Sequence, residues 1–93
     1  MRLKKDEVLI IKSAVHRLDP NAQIFLFGSR VHDEKKGGDI DLLIFSNFLT
    51  FLDKAAIKTE IFKQIEEQRI DITIAKDDSD PFVKIALEEG IAL

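Results

Sequence analysis

Residues 24–44, Ile24-Phe-Leu-Phe-Gly-Ser-Arg-Val-His-Asp-Glu-Lys-Lys-Gly-Gly-Asp-Ile-Asp-Leu-Leu-Ile44, decide how the chain is read. An apolar run ends at Gly28-Ser29. A polar loop with two glycines follows, and a second apolar run then carries two carboxylates in alternation, Asp39 and Asp41. Gln23 to Phe27 is short and rich in β-branched and aromatic residues, the composition of a buried strand. Asp39 to Phe45 reads as a second strand. Gly28 and Ser29 form a strand-to-helix corner, with a short helical turn through Arg30 to Asp33 before Gly37-Gly38 breaks the chain again.

Working outward, residues 4–18 place Val8, Ile11, Ala14, Val15 and Leu18 at helical spacing, so an amphipathic helix precedes the first strand. Asp19-Pro20-Asn21 ends it, because proline cannot continue the hydrogen-bond ladder. After the second strand, Ser46, Asn47 and Thr50 offer helix caps, and Thr50 with Asp53 forms a weak capping box. A long helix is expected from there to about Glu67, with Phe51, Leu52, Ala55, Phe62 and Ile65 on its apolar face. Arg69 to Ala75 alternates strictly, with Ile70, Ile72 and Ile74 on one side and Arg69, Asp71 and Thr73 on the other, as a half-buried strand does. Asp80-Pro81 is an N-cap followed by proline at the first helical position, and Gly90 is expected to close that last helix with a left-handed cap. The order αβ(α)βαβα predicts an α/β (α+β) domain, a small mixed sheet flanked by helices.

Composition narrows the function. Ninety-three residues, 45% hydrophobic, are expected to form one domain with a modest core. A formal charge of −3, with Lys4-Lys5 and Lys35-Lys36 as pairs and no basic stripe, argues against direct nucleic-acid binding. The chain has no cysteine, so neither a disulfide framework nor a thiolate metal site is available. Neither a signal peptide nor a membrane-length apolar run is present, and a soluble cytoplasmic protein is expected.

The chemistry concentrates on three carboxylates. In Asp39-Ile40-Asp41 the two acidic side chains share one strand face, about 6.6–6.8 Å apart along the strand, while Ile40 points into the core. Carboxylates so placed repel one another unless a cation or solvent intervenes. Asp71 lies mid-strand between isoleucines, and joins the same patch if its strand neighbours the first with like sides facing. Such an oxygen-rich cluster suits Mg2+ or Mn2+, and three carboxylates, one shared, meet the needs of two-metal phosphoryl transfer. Gly28 lets the backbone approach a phosphate, and Ser29 offers a hydroxyl and an amide at a helix start. Arg30, Lys35 and Lys36 are nearby cations, and His32 lies in the same loop.

Each element alone has a plainer reading. A Gly-Ser pair is commonly a turn, an Asp-x-Asp pair a solvated edge, and a single strand aspartate a surface residue; their order and spacing together favour a site. His16 is expected at the margin of the first helix without a chemical role. The phenylalanines are expected mostly in the core, with Phe48, Phe51 and Phe82 as candidates for a partner surface.

Leu-Phe-Gly-Ser-Arg, then Gly-Gly-Asp-Ile-Asp-Leu-Leu-Ile, then Arg-Ile-Asp-Ile-Thr-Ile resembles the minimal nucleotidyltransferases of the DNA polymerase beta superfamily, over about residues 22–75. The tail from Pro81 is similar to the closing helix of these short proteins. The resemblance implies the polymerase beta-like fold. It also implies transfer of a nucleoside monophosphate, usually AMP from ATP, to a hydroxyl acceptor, with pyrophosphate released. By position, Gly28, Ser29 and Arg30 would bind the triphosphate, Asp39 and Asp41 both metals, and Asp71 the catalytic metal. Members of this size commonly pair with a helical HEPN-type protein, the nucleotidyltransferase acting as antitoxin, and homo-oligomers are also possible. The alternative is a non-catalytic module that neutralises a helical partner by contact, its nucleotide site vestigial or sensing. The chain departs from many relatives in carrying Asp33 where they have glycine, and in the loop Glu34 to Gly38.

Overall fold

The computed structural model describes residues 5–28, 40–65 and 70–93. Its elements are α1 (Lys5–His16), β1 (Gln23–Phe27), β2 (Ile40–Phe45), α2 (Phe51–Phe62), β3 (Ile70–Ala75), α3 (Pro81–Glu89) and β4 (Ile91–Ala92). The strands form one mixed sheet in the order β3-β2-β1-β4. β1 is antiparallel to β2 and β4, and β2 is parallel to β3. A parallel pair cannot be joined by a hairpin, so α2 serves as the crossover. The short turn expected at Arg30–Asp33, the break at Gly37-Gly38, and Lys4, Asp39, Glu66, Glu67 and Arg69 at the expected ends of elements lie outside the described residues.

Alternation divides the sheet between two cores. Ile24, Leu26, Ile40, Leu42, Ile44, Ile70 and Ile72 face α1 and α2, meeting Ile11, Ala14, Val15, Ile57 and Ile61. On the opposite face Leu43 packs with Val83 and Ala86 of α3, flanked by Phe25, Phe27, Phe45, Ala75 and Leu87. The sheet therefore lies between two helical layers, and its α3 face is the one to which Asp41, Asp71 and Thr73 belong by alternation.

Four expectations are corrected. The strand Ile91–Ala92 was not anticipated; two residues carry no periodicity, and the strand exists because β1 offers Phe25 and Leu26 as partners. Gly90 is extended, at φ −82 and ψ 167, not left-handed. A Cβ there would sit 2.6 Å from the Ala86 carbonyl oxygen and 3.0 Å from that of Leu26, so glycine is required by two crowding backbones. α2 ends at Phe62, followed by a tight turn in which the Ile65 amide donates to the Ile61 carbonyl at 2.8 Å and Ile65 enters the core. That helix docks through Ile57 and Ile61, leaving Phe51 and Leu52 78% and 80% exposed and Ala55 exposed as well. Two apolar stripes run along α2, and the isoleucine stripe fits the flat, branched surface of the sheet. Phe48, Phe51 and Phe82 are exposed, as candidates for a partner surface should be, Phe25, Phe27 and Phe45 pack half-buried on the α3 side, and Phe62 is exposed with the outer stripe of α2.

The Thr50 amide donates to the Asp53 carboxylate at 2.7 Å, as a capping box requires. Asp80 caps α3 by accepting from the Phe82 amide at 2.8 Å. In the turn before it, the Ser79 hydroxyl and amide hold the Asp77 carboxyl below its ordinary value.

A buried polar junction joins the two turns at the far end of the sheet. The Ser46 hydroxyl donates to the Asp19 carboxylate and accepts from the amides of Phe48 and Leu49 at 3.0 and 2.9 Å. Asp19 also accepts from the Asn21 amide at 3.0 Å, and both side chains are buried. Ser46→Ala should remove the hydroxyl from all three bonds and destabilise by about 1–3 kcal/mol, read as a lower denaturation midpoint with an unchanged slope. Gly90→Ala should cost about 1–3 kcal/mol through overpacking against backbone. Preserved stability in Gly90→Ala would mean that the chain after α3 moves away without consequence.

Candidate functional site

The register of β2 and β3 pairs Ile40 with Ile70, Asp41 with Asp71 and Leu42 with Ile72. The flanking isoleucines and leucine are buried beneath the sheet, so both aspartates project from its other face. Adjacent strands lie about 4.8 Å apart, which puts the two carboxylates side by side. Each is half-buried. The expectation that the strands neighbour one another with like sides facing is thus met for Asp41 and Asp71.

On its other side Asp41 is the register partner of Phe27, the last residue of β1. Gly28 follows with φ +78, in the left-handed region that side chains disfavour. A Cβ at Gly28 would collide with Asp41 Oδ2 and lie 3.1 Å from its Cγ. Glycine is therefore dictated here by both the corner and the carboxylate seated against it. The sequence signals a permissive corner; it does not show that the residue filling the space is Asp41.

Ser29, Arg30 and Asp39, together with His32, Lys35 and Lys36, lie outside the described residues. Among the described residues no group of three or more histidine, cysteine or acidic side chains could hold a metal ion. Asp41 and Asp71 make a pair, to which Asp39 was the expected third member. The donor chemistry of that pair, carboxylate oxygen only, fits a hard divalent cation, which offsets the repulsion of adjacent carboxylates.

His16 is half-buried at the margin of α1, its Nε2 lying 3.0 Å from the Ala22 carbonyl oxygen. It fastens the α1–β1 turn. Asp19 and Ser46 are the polar residues whose pairing the sequence did not reveal, because they stand 27 positions apart and each reads locally as turn chemistry. No helix among the described residues is long and apolar enough to cross a membrane.

Past the carboxylates, the Phe27 ring meets that of Phe82 at the start of α3, with centroids 5.7 Å apart and planes at 78°. One row thus runs across the sheet from Asp71 to Asp41 to Phe27, and α3 covers the rows beyond it.

No curated protein matches the chain significantly. The family model described as nucleotidyltransferase domain matches residues 8–93, from α1 to the residue after β4. A mixed sheet between helices, with a glycine corner at the end of one strand and aspartates on the next two, agrees with that match. The chain belongs to the nucleotidyltransferase domain family of the polymerase beta-like superfamily.

Proposed function

We propose that this chain transfers a nucleoside monophosphate, AMP from ATP, to a hydroxyl group on a small all-helical HEPN-type partner, and so acts as an antitoxin. The observation that carries the catalytic part is the pairing of Asp41 with Asp71 on the α3 face of the sheet beside Gly28.

In this reading Asp39, Asp41 and Asp71 would hold Mg2+ or Mn2+, with Asp71 on the side of the attacking hydroxyl. A divalent cation bound there would neutralise the triphosphate and lower the pKa of the acceptor hydroxyl. Asp71 takes up the hydroxyl proton, the acceptor oxygen bonds to the α-phosphorus, and the bond to pyrophosphate breaks. Gly28, Ser29 and Arg30 receive the phosphates: the glycine turns the backbone tightly beside Asp41, and the other two supply donors. Parallel strands fix the two carboxylates by backbone hydrogen bonds, so little reorganisation remains when the triphosphate arrives.

A second reading is a module that neutralises its partner by contact alone. The exposed Phe48, Phe51 and Leu52, grouped where β2 leads into α2, favour it.

Incorporation of labelled AMP from ATP and Mg2+ into a co-expressed helical partner separates the two. Asp41→Asn and Asp71→Asn should each lower incorporation by about a hundred-fold or more, in line with loss of a group that stabilises transition-state charge. Equal labelling by wild type and both variants would refute the catalytic assignment. Unlabelled partner that is neutralised by every variant would support contact instead. Gly28→Ala should both strain the corner and displace Asp41, and the expected sign is a higher Mg2+ requirement for the residual transfer.

A further inference from the structure

One aromatic ring at the edge of the carboxylate row is not needed by the core. α3 docks through Val83 and Ala86, which are 3% and 2% exposed, and Leu87 packs beside them. Phe82 stands outside that contact. It is 49% exposed and touches the sheet through its edge-to-face meeting with Phe27. Its backbone is nonetheless fixed: Pro81 opens the helix and the Phe82 amide donates to the Asp80 carboxylate at 2.8 Å. A ring held in place yet half open to solvent loses little entropy when a flat ligand covers it.

We propose that Phe82, standing on Phe27, is the platform on which the base of the nucleoside triphosphate stacks. The proposal rests on the reading of Asp41 and Asp71 as the phosphate and metal end of the site. Two observations and one general property of aromatic rings support it. Phe27 is the register partner of Asp41, so the aromatic pair continues the row Asp71–Asp41 with no element between. Asp77, Asp78 and Asp80, against Lys76 and Lys84, leave the segment that opens α3 net negative, which disfavours phosphate and favours the neutral base at that end. Finally, an aromatic face accepts the π-face of any base, so stacking needs no base-specific donors.

Equilibrium binding to the full chain in Mg2+ tests this, with ATP and inorganic tripolyphosphate as probes. Phe82→Ala should weaken ATP about 5- to 10-fold, the lower range for base–aromatic stacking, and leave tripolyphosphate unchanged. Phe82→Leu, which keeps an apolar contact on Phe27, should show the same selective loss with an unaltered melting temperature. Phe82→Trp should restore ATP affinity. Because the chain contains no tryptophan, it also introduces a single fluorophore that ATP quenches and tripolyphosphate does not.

ATP binding unchanged in both Phe82→Ala and Phe82→Leu would overturn the platform while leaving the phosphate site standing. Equal loss of both probes would overturn it as well, because the ring would then act through the fold. Reduced labelling of the acceptor with ATP affinity intact would assign the ring to the acceptor and likewise refute the proposal. Failure of wild type to bind either probe would remove the phosphate site, and the platform with it.

Discussion

β2 and β3 lie parallel with Asp41 beside Asp71, and no other register would serve. A slip of β3 by one residue against β2 turns its side chains to the opposite face, sending Asp71 under α1 and α2 and its isoleucines to the α3 side. The cost of burying that carboxylate in an apolar core excludes the arrangement. The isoleucines and leucines that hold the register are thus the indirect cause of the acidic pair, and α2 earns its place as the crossover that makes the strands parallel. The core on the α1–α2 side positions the acidic pair on the α3 side.

Two glycines show how closely backbone and side chains are fitted around this arrangement. Gly28 has a left-handed backbone and the Asp41 carboxylate against its Cα. Gly90 has an ordinary extended backbone but carbonyl oxygens of α3 and β1 where a Cβ would stand. The first turns the chain away from β1 at the acidic row. The second lets the chain leave α3 and add β4 along the free side of β1. Gly28 stands at the end of β1 and Gly90 against its Leu26 carbonyl, so the strand meets a residue without a side chain at its end and along its free side.

The aromatic residues are distributed by a different constraint. Branched aliphatic side chains fill the larger core, where flat helices meet the pleated sheet, while Phe25 and Phe45 pack edge to face at 5.9 Å on the α3 side. The shorter α3 cannot cover that whole face. Its N-terminal end leaves Phe82 half open and meets the row of Asp41 and Asp71 at Phe27, while the two aspartates stay half-buried. Helix length, set by Asp80-Pro81 at one end and the crowded Gly90 at the other, decides how much of the face stays accessible.

The sequence alone determined the strands around Gly28, Asp41 and Asp71, the start of α3 and the inward face of α1, because each rests on local chemistry: alternation, a cap with proline, and spacing of apolar residues. It also carried the motif by which the family is recognised. Tertiary structure decided which stripe of α2 is buried, since Phe51, Leu52 and Ala55 are as apolar as Ile57 and Ile61 and only the shape of the sheet discriminates. It decided that Ile91–Ala92 is a strand, that Gly90 answers to crowding and not to handedness, and that Asp19 meets Ser46. It decided, too, that Asp41 lies directly beside Asp71, because strand order and register are properties of the whole sheet and no local segment encodes its neighbour.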